Sequence, residues 1–290
     1  LNFGDQPVVH HLIKSNQQSF EKFNLILSYC IDCNFTFLKK PIPAEKFYTN
    51  YFTLSSWKDQ SHAKKIIEII ELDNSIDINS QILEIGSNDG HFIENLKKHG
   101  FNKITCIEPS NDAFLVSKSK GHQVINDFFS SKILNNKNFK EKQYDLIISR
   151  HVLEHIENLN DFIDTIGKIL KNDGTIIFEI PDFDSYLEYN DFTLWEEHVN
   201  CFNLHSINNL MRINGFSIYH HEKTLFSGRA LTIFAKKNFQ KLRPLKIDFY
   251  NSLMSNYANN FFYLKKELHG YLSKFEKIAV YGCGSRSSLF

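Results

Sequence analysis

The chain has 290 residues, 42% of them hydrophobic and 14% aromatic, which is enough apolar material for one large domain or two ordinary ones. Its 33 basic and 33 acidic residues cancel, so the one-signed field typical of nucleic-acid-binding proteins is not expected. No apolar run approaches the roughly 20 residues that span a bilayer, and residues 1–5 do not resemble a signal peptide. The five cysteines are scattered, as in proteins of a reducing compartment. We therefore expect a cytoplasmic protein without a nucleic-acid or membrane partner.

The first 55 residues predict a small, loop-rich N-terminal domain. They show little hydrophobic periodicity and contain Pro7, Pro41 and Pro43, with a short strand indicated at residues 23–29. This part of the chain is expected to lie beside the main core.

Residues 56–237 are predicted to form a Rossmann-like α/β domain, in which helices cover both faces of the sheet. A helix comes first, because four isoleucines between residues 66 and 70 form an apolar stripe. Strands and helices then alternate, which favours a mainly parallel sheet covered on both faces, with an antiparallel edge. Seven strands are expected, at 81–86, 103–107, 122–126, 144–149, 174–180, 216–220 and 231–235, with helices at 90–99, 111–120, 159–171 and 207–213. A chain break is predicted at Asn172-Asp173-Gly174.

Residues 238–290 predict a long amphipathic helix at about 247–274 and a final strand at 277–281. The strand runs into Gly282-Cys283-Gly284, the kind of turn that opens a Rossmann-like unit. Since the sequence lacks an initiating Met and stops just after this turn, we expect a piece of a longer protein with a truncated C-terminal element. The turn also leaves open an NAD-linked sugar-nucleotide oxidoreductase, although Ser287 occupies the third glycine position.

The strongest functional signal is the segment after the first strand of the α/β domain. This apolar strand runs into Gly86-Ser87-Asn88-Asp89-Gly90 and then into a helix. Glycines allow the tight bend and close approach of a ligand, and the helix start presents free N–H groups. The G-x-x-x-G spacing differs from the G-x-G-x-x-G of dinucleotide sites, and Glu84 and Asp89 add negative charge. The segment therefore predicts a site for a cationic nucleotide-type ligand.

Two further acidic residues extend this predicted site. Glu108 ends the second strand, where a carboxylate can accept both hydroxyl protons of a ribose. Asp127, after the third strand, is placed to accept from an adenine amine, and Phe128 or Phe129 could stack on the ring. A helix cap and a pair of core aromatics are the alternative for these last three residues.

The fourth strand ends in Arg150-His151-Val152-Leu153-Glu154-His155. Together with the glycine turn, this segment resembles the class I S-adenosylmethionine-dependent methyltransferases, over about residues 80–236. The resemblance implies S-adenosylmethionine as the cofactor, its methionine part at the turn, its ribose at Glu108, and its sulfonium above the loop that includes Arg150 and His151. From the residues alone, His151 and His155 are equally compatible with caps or packed imidazoles.

A narrower resemblance extends over nearly the whole chain. The order of segments is similar to that of the deoxysugar C-methyltransferases: Leu1–Pro7, Cys30-Ile31-Asp32-Cys33, Asn50-Tyr51 and Glu197-His198. It implies a nucleotide-linked keto sugar as the small-molecule substrate, with His198 as base, Glu197 beside it and Tyr51 closing over the sugar. It also implies a zinc-binding N-terminal domain and a C-terminal Rossmann-like domain.

The residue types suit this chemistry. C-methylation beside a ketone needs a base for the α-proton, O-methylation needs one for a hydroxyl, and a histidine oriented by a carboxylate supplies it. The pattern departs from the family on the acceptor side, where Tyr-His-Glu-His has become Trp195-Glu196-Glu197-His198. A methyltransferase of another small molecule, acting on oxygen or nitrogen, and a non-catalytic scaffold therefore remain alternatives.

The pair Cys30 and Cys33 offers half of a zinc site. A structural zinc ion needs four ligands and a single C-x-x-C supplies two, so two partners would come from elsewhere in the intact protein. Two ordinary thiols are the alternative, and nothing in the spacing of His10 and His11 favours them as substitutes.

Overall fold

The computed structural model describes residues 1–8, 21–43, 61–136, 139, 143–225, 229–238 and 240–279. The strands are β1 (Asn2–Pro7), β2 (Lys22–Tyr29), β3 (Thr36–Leu38), β4 (Ile82–Ile85), β5 (Ile104–Ile107), β6 (Val124–Ile125), β7 (Tyr144–Arg150), β8 (Leu170–Pro181), β9 (Asn200–Cys201), β10 (Phe216–Leu225) and β11 (Arg229–Lys237). The α-helices are α1 (Ser61–Leu72), α2 (His91–Lys98), α3 (Asn111–Ser119), α4 (Leu159–Ile169), α5 (Phe183–Tyr189), α6 (Leu204–Ile213) and α7 (Phe249–Leu272), and single 3₁₀ segments lie at Ser131–Asn135 and Leu153–His155.

The main sheet has seven strands in the order β10-β11-β8-β7-β4-β5-β6, which confirms the predicted seven-stranded α/β fold. The five strands β8, β7, β4, β5 and β6 are parallel, and β11 and β10 add an antiparallel edge. Strands β4 and β5 are buried along their whole length, as parallel strands covered on both faces must be. All carboxyl ends of the parallel strands therefore meet at one edge of the sheet, where open α/β sheets bind ligands.

Two apolar cores cover the two faces of this sheet. Helices α4 and α6 pack on one face, where Phe162 and Ile207 are buried. Helices α1 and α2 pack on the other, and the isoleucine stripe predicted for α1 is buried there. The alternation of side chains along the strands divides them between these two cores.

The sequence predicts a break at residues 172–174, before the fifth strand. In the structure β8 continues through these residues, and only its pairing with β7 is interrupted. Tyr144 pairs with Leu170, but Leu146 pairs with Thr175, so three extra residues of β8 leave the ladder between these pairs. Asn172 and Asp173 are exposed there. The turn residues interrupt the pairing locally, and strand geometry resumes on both sides.

The described part of the first 43 residues forms three strands that join a second sheet. Its order is β1-β2-β3-β9, so its last strand comes from the segment between α5 and α6. Side chains of β1 to β3 share a core with α5 and α7, including Phe3, Leu27, Phe183, Tyr257 and Phe261. This second sheet thereby holds the Asn200–Cys201 strand in place.

The predicted long C-terminal helix is present as α7. Residues 277–279, the described start of the predicted final strand, are not in a strand, which corrects that prediction for these residues. The rest of that strand and the Gly282-Cys283-Gly284 turn lie outside the described residues. Within the described ranges, no helix combines the length and apolarity needed to cross a bilayer.

Candidate functional site

The predicted glycine turn forms a tight cradle between β4 and α2. Gly86 and Gly90 have φ angles of 72° and 80°, in the left-handed region that glycine adopts without strain. The Gly86 N–H donates to the Ile107 carbonyl at 2.8 Å, which ties the turn to the end of β5. A Cβ on Gly86 would lie 2.3 Å from Cγ2 of Val152. Only glycine therefore fits between the turn and the loop after β7.

Replacing Gly86 with alanine is expected to weaken S-adenosylmethionine binding by about tenfold and to destabilise the fold by about 1–3 kcal/mol. The added methyl group overlaps Val152, and alanine is strained at a positive φ. Calorimetric titration and denaturant unfolding measure the two effects. Gly121 is the matched control, because it also has a positive φ but no atom lies within 4 Å of its added Cβ. Equal losses of cofactor affinity for both alanine variants would contradict the steric explanation.

Glu108 joins the turn to the second strand of the domain. Its two carboxylate oxygens accept the backbone N–H groups of Asn88 and Ser110, each at 2.7 Å. Burial raises the pKa of Glu108 to about 7, against these two hydrogen bonds, which lower it. Each oxygen keeps a second lone pair, which suits the two hydroxyl groups of a ribose.

Glu84 lies within the same site with its side chain withdrawn from solvent. It is 2% exposed, and its Oε2 has no hydrogen-bond partner among the described residues. Burial, together with the negative charges of Glu108 and Asp89, raises the pKa of Glu84 to about 8, although the Arg150 guanidinium opposes the shift. At neutral pH this carboxyl group is therefore mostly protonated until a cation arrives beside it.

Binding of S-adenosylmethionine is expected to release a proton from Glu84 near pH 7, and its affinity should rise with pH up to about 8. The sign follows because the cationic ligand stabilises the ionised carboxylate, which the ligand-free site disfavours. Titration calorimetry in two buffers of different ionisation enthalpy measures the released proton. Glu84→Gln should abolish that part of the release. Identical proton release by the wild type and the variant would contradict the assignment.

The residues predicted to contact adenine separate into a core group and an exposed group. Phe129 is 8% exposed and packs edge-on against Phe162, with ring centroids 5.0 Å apart, so it belongs to the core. Phe128 is 46% exposed, and Asp127 accepts its backbone N–H at 2.8 Å. Of the two aromatic rings, that of Phe128 is accessible to a ligand.

Arg150 enters a buried ion network behind the end of β7. Its Nε lies 2.7 Å from Oε2 of Glu179, its Nη2 3.1 Å from Nε2 of His62, and its guanidinium 4.4 Å from the centroid of the Phe92 ring. The Glu179 carboxylate is fully buried and also lies 3.8 Å from Nε2 of His151. Through these contacts, Arg150 stabilises the buried side chains beneath the site. Sequence analysis missed Glu179, whose signal is a single acidic residue within an apolar strand.

A second group of ionisable residues lies just beyond β7. Nδ1 of His151 is 3.3 Å from Oε1 of Glu154, whose side chain is 1% exposed. The rings of His155 and His198 meet edge to face with centroids 4.9 Å apart. Nδ1 of His155 lies 3.0 Å from the carbonyl oxygen of Glu197 and 3.9 Å from its Oε2. The structure therefore brings Glu197-His198, predicted as the catalytic pair, against Glu154-His155.

Burial and the neighbouring charges together set the pKa values of His198 and Glu154. Burial and the neighbouring His155 lower the pKa of His198 to about 4, so its ring is neutral at pH 7. Burial opposes ionisation of Glu154, but the hydrogen bond from His151 and the charge of His155 outweigh it and lower the pKa of Glu154 to about 2. The group thus offers a neutral imidazole beside a fixed carboxylate.

The imidazole of His198 lines an open cavity between α5 and β9. Aromatic side chains account for much of its wall, and the polar side chain of Asn200 completes it. The lining residues are Pro181, Phe183, Tyr186, Thr193, Leu194, Trp195, His198, Asn200 and Cys201. Asn200 also donates to the carbonyls of Leu153 and Ile156, at 3.2 and 2.7 Å, and so clamps the cavity wall to the Glu154-His155 turn.

Other predicted site residues lie apart from this region or outside the described residues. Tyr51, His10 and His11 are not among the described residues. Cys30 and Cys33 lie in the turn between β2 and β3, where the Cys30 N–H donates to the Phe35 carbonyl at 2.8 Å. Within the described ranges, no group of three potential metal ligands includes either thiol.

The seven-stranded sheet and the glycine cradle define a class I S-adenosylmethionine-dependent methyltransferase domain, and S-adenosylmethionine is its cofactor. The family model described as "Methyltransferase domain" matches residues 57–221, more than half of the chain. The chain belongs to this family.

Curated relatives and solved structures agree with this assignment. The C-methyltransferase NovU of Streptomyces niveus is 20% identical over 240 residues, which are 81% of this chain and 57% of NovU. The mitochondrial ubiquinone biosynthesis O-methyltransferase of Dictyostelium discoideum is 26% identical over 129 residues, 41% of this chain and 40% of that protein. The chain thus spans less than two thirds of either relative. The PH0226 protein of Pyrococcus horikoshii OT3 shares the fold, with a TM-score of 0.50 and 16% identity over 66% of this chain and 98% of its own.

Proposed function

We propose that the protein methylates a nucleotide-linked keto sugar, at the carbon beside the ketone, with S-adenosylmethionine as methyl donor and His198 as base. The observation that carries this proposal is the neutral, half-buried His198 ring between the Glu154-His155 turn and a cavity with aromatic side chains in its wall. The cofactor cradle and this cavity both adjoin the segment that follows β7, so donor and acceptor can meet there. The resemblance to deoxysugar C-methyltransferases and the match to NovU supply the acceptor class.

The proposed reaction follows from these groups. A nitrogen of His198 takes the α-proton, and the electron pair of the broken C–H bond forms an enolate. The enolate carbon attacks the methyl carbon in line, the carbon–sulfur bond breaks, and its electrons neutralise the sulfonium. The carboxylates of Glu154 and Glu197 stabilise the resulting imidazolium, since both charges raise the proton affinity of His198.

O-methylation of another small molecule is the second candidate. The match to a ubiquinone biosynthesis O-methyltransferase favours it, and the same ring would then take a hydroxyl proton. C-methylation replaces a hydrogen on the α-carbon with the methyl group, whereas O-methylation replaces the hydrogen of a hydroxyl group. The position of the added methyl group, determined by NMR, therefore distinguishes the two candidates.

A screen of nucleotide-linked keto sugars with the full chain and S-adenosylmethionine tests the proposal, read by mass spectrometry as a gain of one methyl group in place of hydrogen. A second assay needs no methyl transfer, because His198 should catalyse exchange of the α-proton with D₂O in the presence of S-adenosylhomocysteine. Absence of both methylation and exchange, with cofactor binding intact, would overturn the keto-sugar proposal.

We also propose that Cys30 and Cys33 supply two of four ligands to a structural zinc ion in a longer protein, in which residues 238–290 begin a Rossmann-like domain. The four described cysteines are free thiols, which is consistent with the reducing cytoplasm that we propose as the location. The zinc content of the full-length protein should fall by one ion in a Cys30→Ser, Cys33→Ser variant. An unchanged zinc content would remove these thiols from the proposal.

A further inference from the structure

The group beside the cavity contains three side chains arranged as potential metal ligands. One ligand atom from each of Glu154, His155 and His198 lies within 4.8 Å of the others. His155 and His198 are 43 positions apart in the sequence. The three side chains meet because β9 and the turn after β7 are adjacent.

The Glu154 carboxylate has one oxygen that the protein leaves without a partner. Oε1 is satisfied by His151, but Oε2 is buried and has no hydrogen-bond partner among the described residues. A buried carboxylate oxygen in this state is costly unless a cation or a donor occupies the space beside it. The imidazoles of His155 and His198, whose ring nitrogens lie within 4.8 Å of this carboxylate, offer lone pairs for the same cation.

His155 is already held in the orientation of a metal ligand. Its Nδ1 lies 3.0 Å from the Glu197 carbonyl oxygen, which can only accept, so Nδ1 donates there and Nε2 is the ring nitrogen left for a metal ion. A histidine that donates its second N–H to a backbone carbonyl, with a carboxylate nearby, is the usual support of a metal-bound imidazole. The Glu197 carboxylate, 3.9 Å away, adds to this support.

We propose that Glu154, His155 and His198 bind a divalent transition-metal ion. Two imidazoles and one carboxylate suit Zn²⁺, Co²⁺ or Fe²⁺ better than Mg²⁺ or Ca²⁺, which take mainly oxygen ligands. Ligand atoms lie roughly 2.0–2.2 Å from such an ion, which is compatible with a group whose ligand atoms all lie within 4.8 Å of one another. Three protein ligands leave a coordination position for water or substrate, as in catalytic zinc sites.

The ion would change the proton acceptor in methyl transfer, and this consequence rests on the proposed function. A water on the open position would lose a proton to solvent and, as hydroxide, would take the proton of the acceptor and become water again. The electron pair left on the acceptor then attacks the methyl carbon, and the carbon–sulfur electrons go to sulfur. In this state His198 holds the ion instead of taking the proton. Binding of the ion itself is independent of which acceptor is used.

Titration of the full chain with Co²⁺ alone, without cofactor or acceptor, tests the proposal. Visible d–d absorption should saturate at one ion per chain through nitrogen and oxygen ligands. His198→Ala and Glu154→Gln should each weaken Co²⁺ binding by at least about tenfold. Loss of a group that only supports a ligand already weakens metal binding by about 10- to 100-fold. His198 is partly exposed, so the alanine variant remains informative if the buried Glu154 variant fails to fold.

Two control variants exclude other sites. His99→Ala should leave the titration unchanged, because His99 pairs with Glu71 on the surface at 2.7 Å, with no third potential ligand in the part of the chain that the structure describes. The Cys30→Ser, Cys33→Ser variant removes thiolate sites, which give Co²⁺ charge-transfer bands in the near ultraviolet. Absorption that disappears only in the cysteine variant, or that persists in His198→Ala, would overturn the proposal. A failed acceptor screen with normal Co²⁺ binding would overturn the proposed function alone.

Discussion

Replacing His198 with alanine is expected to lower kcat for methyl transfer by about 10²–10⁴-fold, the usual contribution of a general base. The Kd for S-adenosylmethionine should stay unchanged, because we propose that the donor binds at Gly86 to Gly90 and Glu108, whereas His198 belongs to the proposed acceptor site. The proton of the acceptor then has no neutral imidazole within the cavity to receive it. Steady-state kinetics with the acceptor from the screen and calorimetry with the cofactor measure the two quantities.

His220→Ala is the matched control for this variant. His220 also lies beside a glutamate, with Nε2 3.2 Å from Oε1 of Glu222, but on the antiparallel edge strand β10. Its removal should leave kcat within a factor of about two, as is usual for a partly exposed surface substitution. An unchanged kcat in His198→Ala would exclude His198 from catalysis.

A chelator separates the two possible roles of His198. If the ring itself takes the proton, removal of divalent ions leaves kcat of the wild type unchanged. If an ion-bound hydroxide takes it, the chelator lowers kcat to nearly that of His198→Ala, and Co²⁺ restores it. The alanine variant should respond to neither treatment.

Replacing Glu179 with alanine is expected to destabilise the fold by about 3–5 kcal/mol, because it leaves a buried charge without its partner. The Glu179 carboxylate is fully buried, 2.7 Å from Nε of Arg150 and 3.4 Å from Nε2 of His62. Without it, the guanidinium of Arg150, which is 9% exposed, loses the carboxylate to which its Nε donates. Urea unfolding followed by circular dichroism measures the change in the free energy of unfolding.

Glu71→Ala provides the comparison on the surface. Glu71 forms an ion pair of the same length, 2.7 Å, with His99, but both side chains are more than two fifths exposed. Solvent-exposed pairs contribute about 0–1 kcal/mol, so the unfolding midpoint should hardly move. A loss below about 1 kcal/mol in Glu179→Ala would show that solvent reaches Arg150 and that the network is not a buried one.

The cofactor side of this protein can be predicted from local sequence. Strands β4 and β5 are short apolar runs with an acidic residue at a defined position, and the turn between β4 and α2 has two glycines at positive φ. Each of these signals lies within a few residues, so no long-range contact is needed to recognise it. The same locality explains why α4 and α7 are predicted within a few residues of their observed bounds.

The supporting residues of that site were not predictable in the same way. Glu179 and Arg150 lie on neighbouring strands, β8 and β7, and their pairing depends on a register that includes the excursion at residues 172–174. A single acidic residue in an apolar strand indicates that something must neutralise it. The identity of the partner follows only from the order of strands in the sheet.

The sequence by itself determined a class I methyltransferase sheet and a cradle for S-adenosylmethionine, because strand periodicity, glycine conformation and the acidic strand ends are local properties. Only the tertiary structure shows which residues surround the predicted Glu197-His198 pair. Glu154-His155 meets His198 because Asn200 bonds to the turn after β7 and β9 pairs with β3 of the N-terminal sheet. That contact joins segments distant in the chain, and it converts separate histidines into one buried group that can take a proton or bind a metal ion.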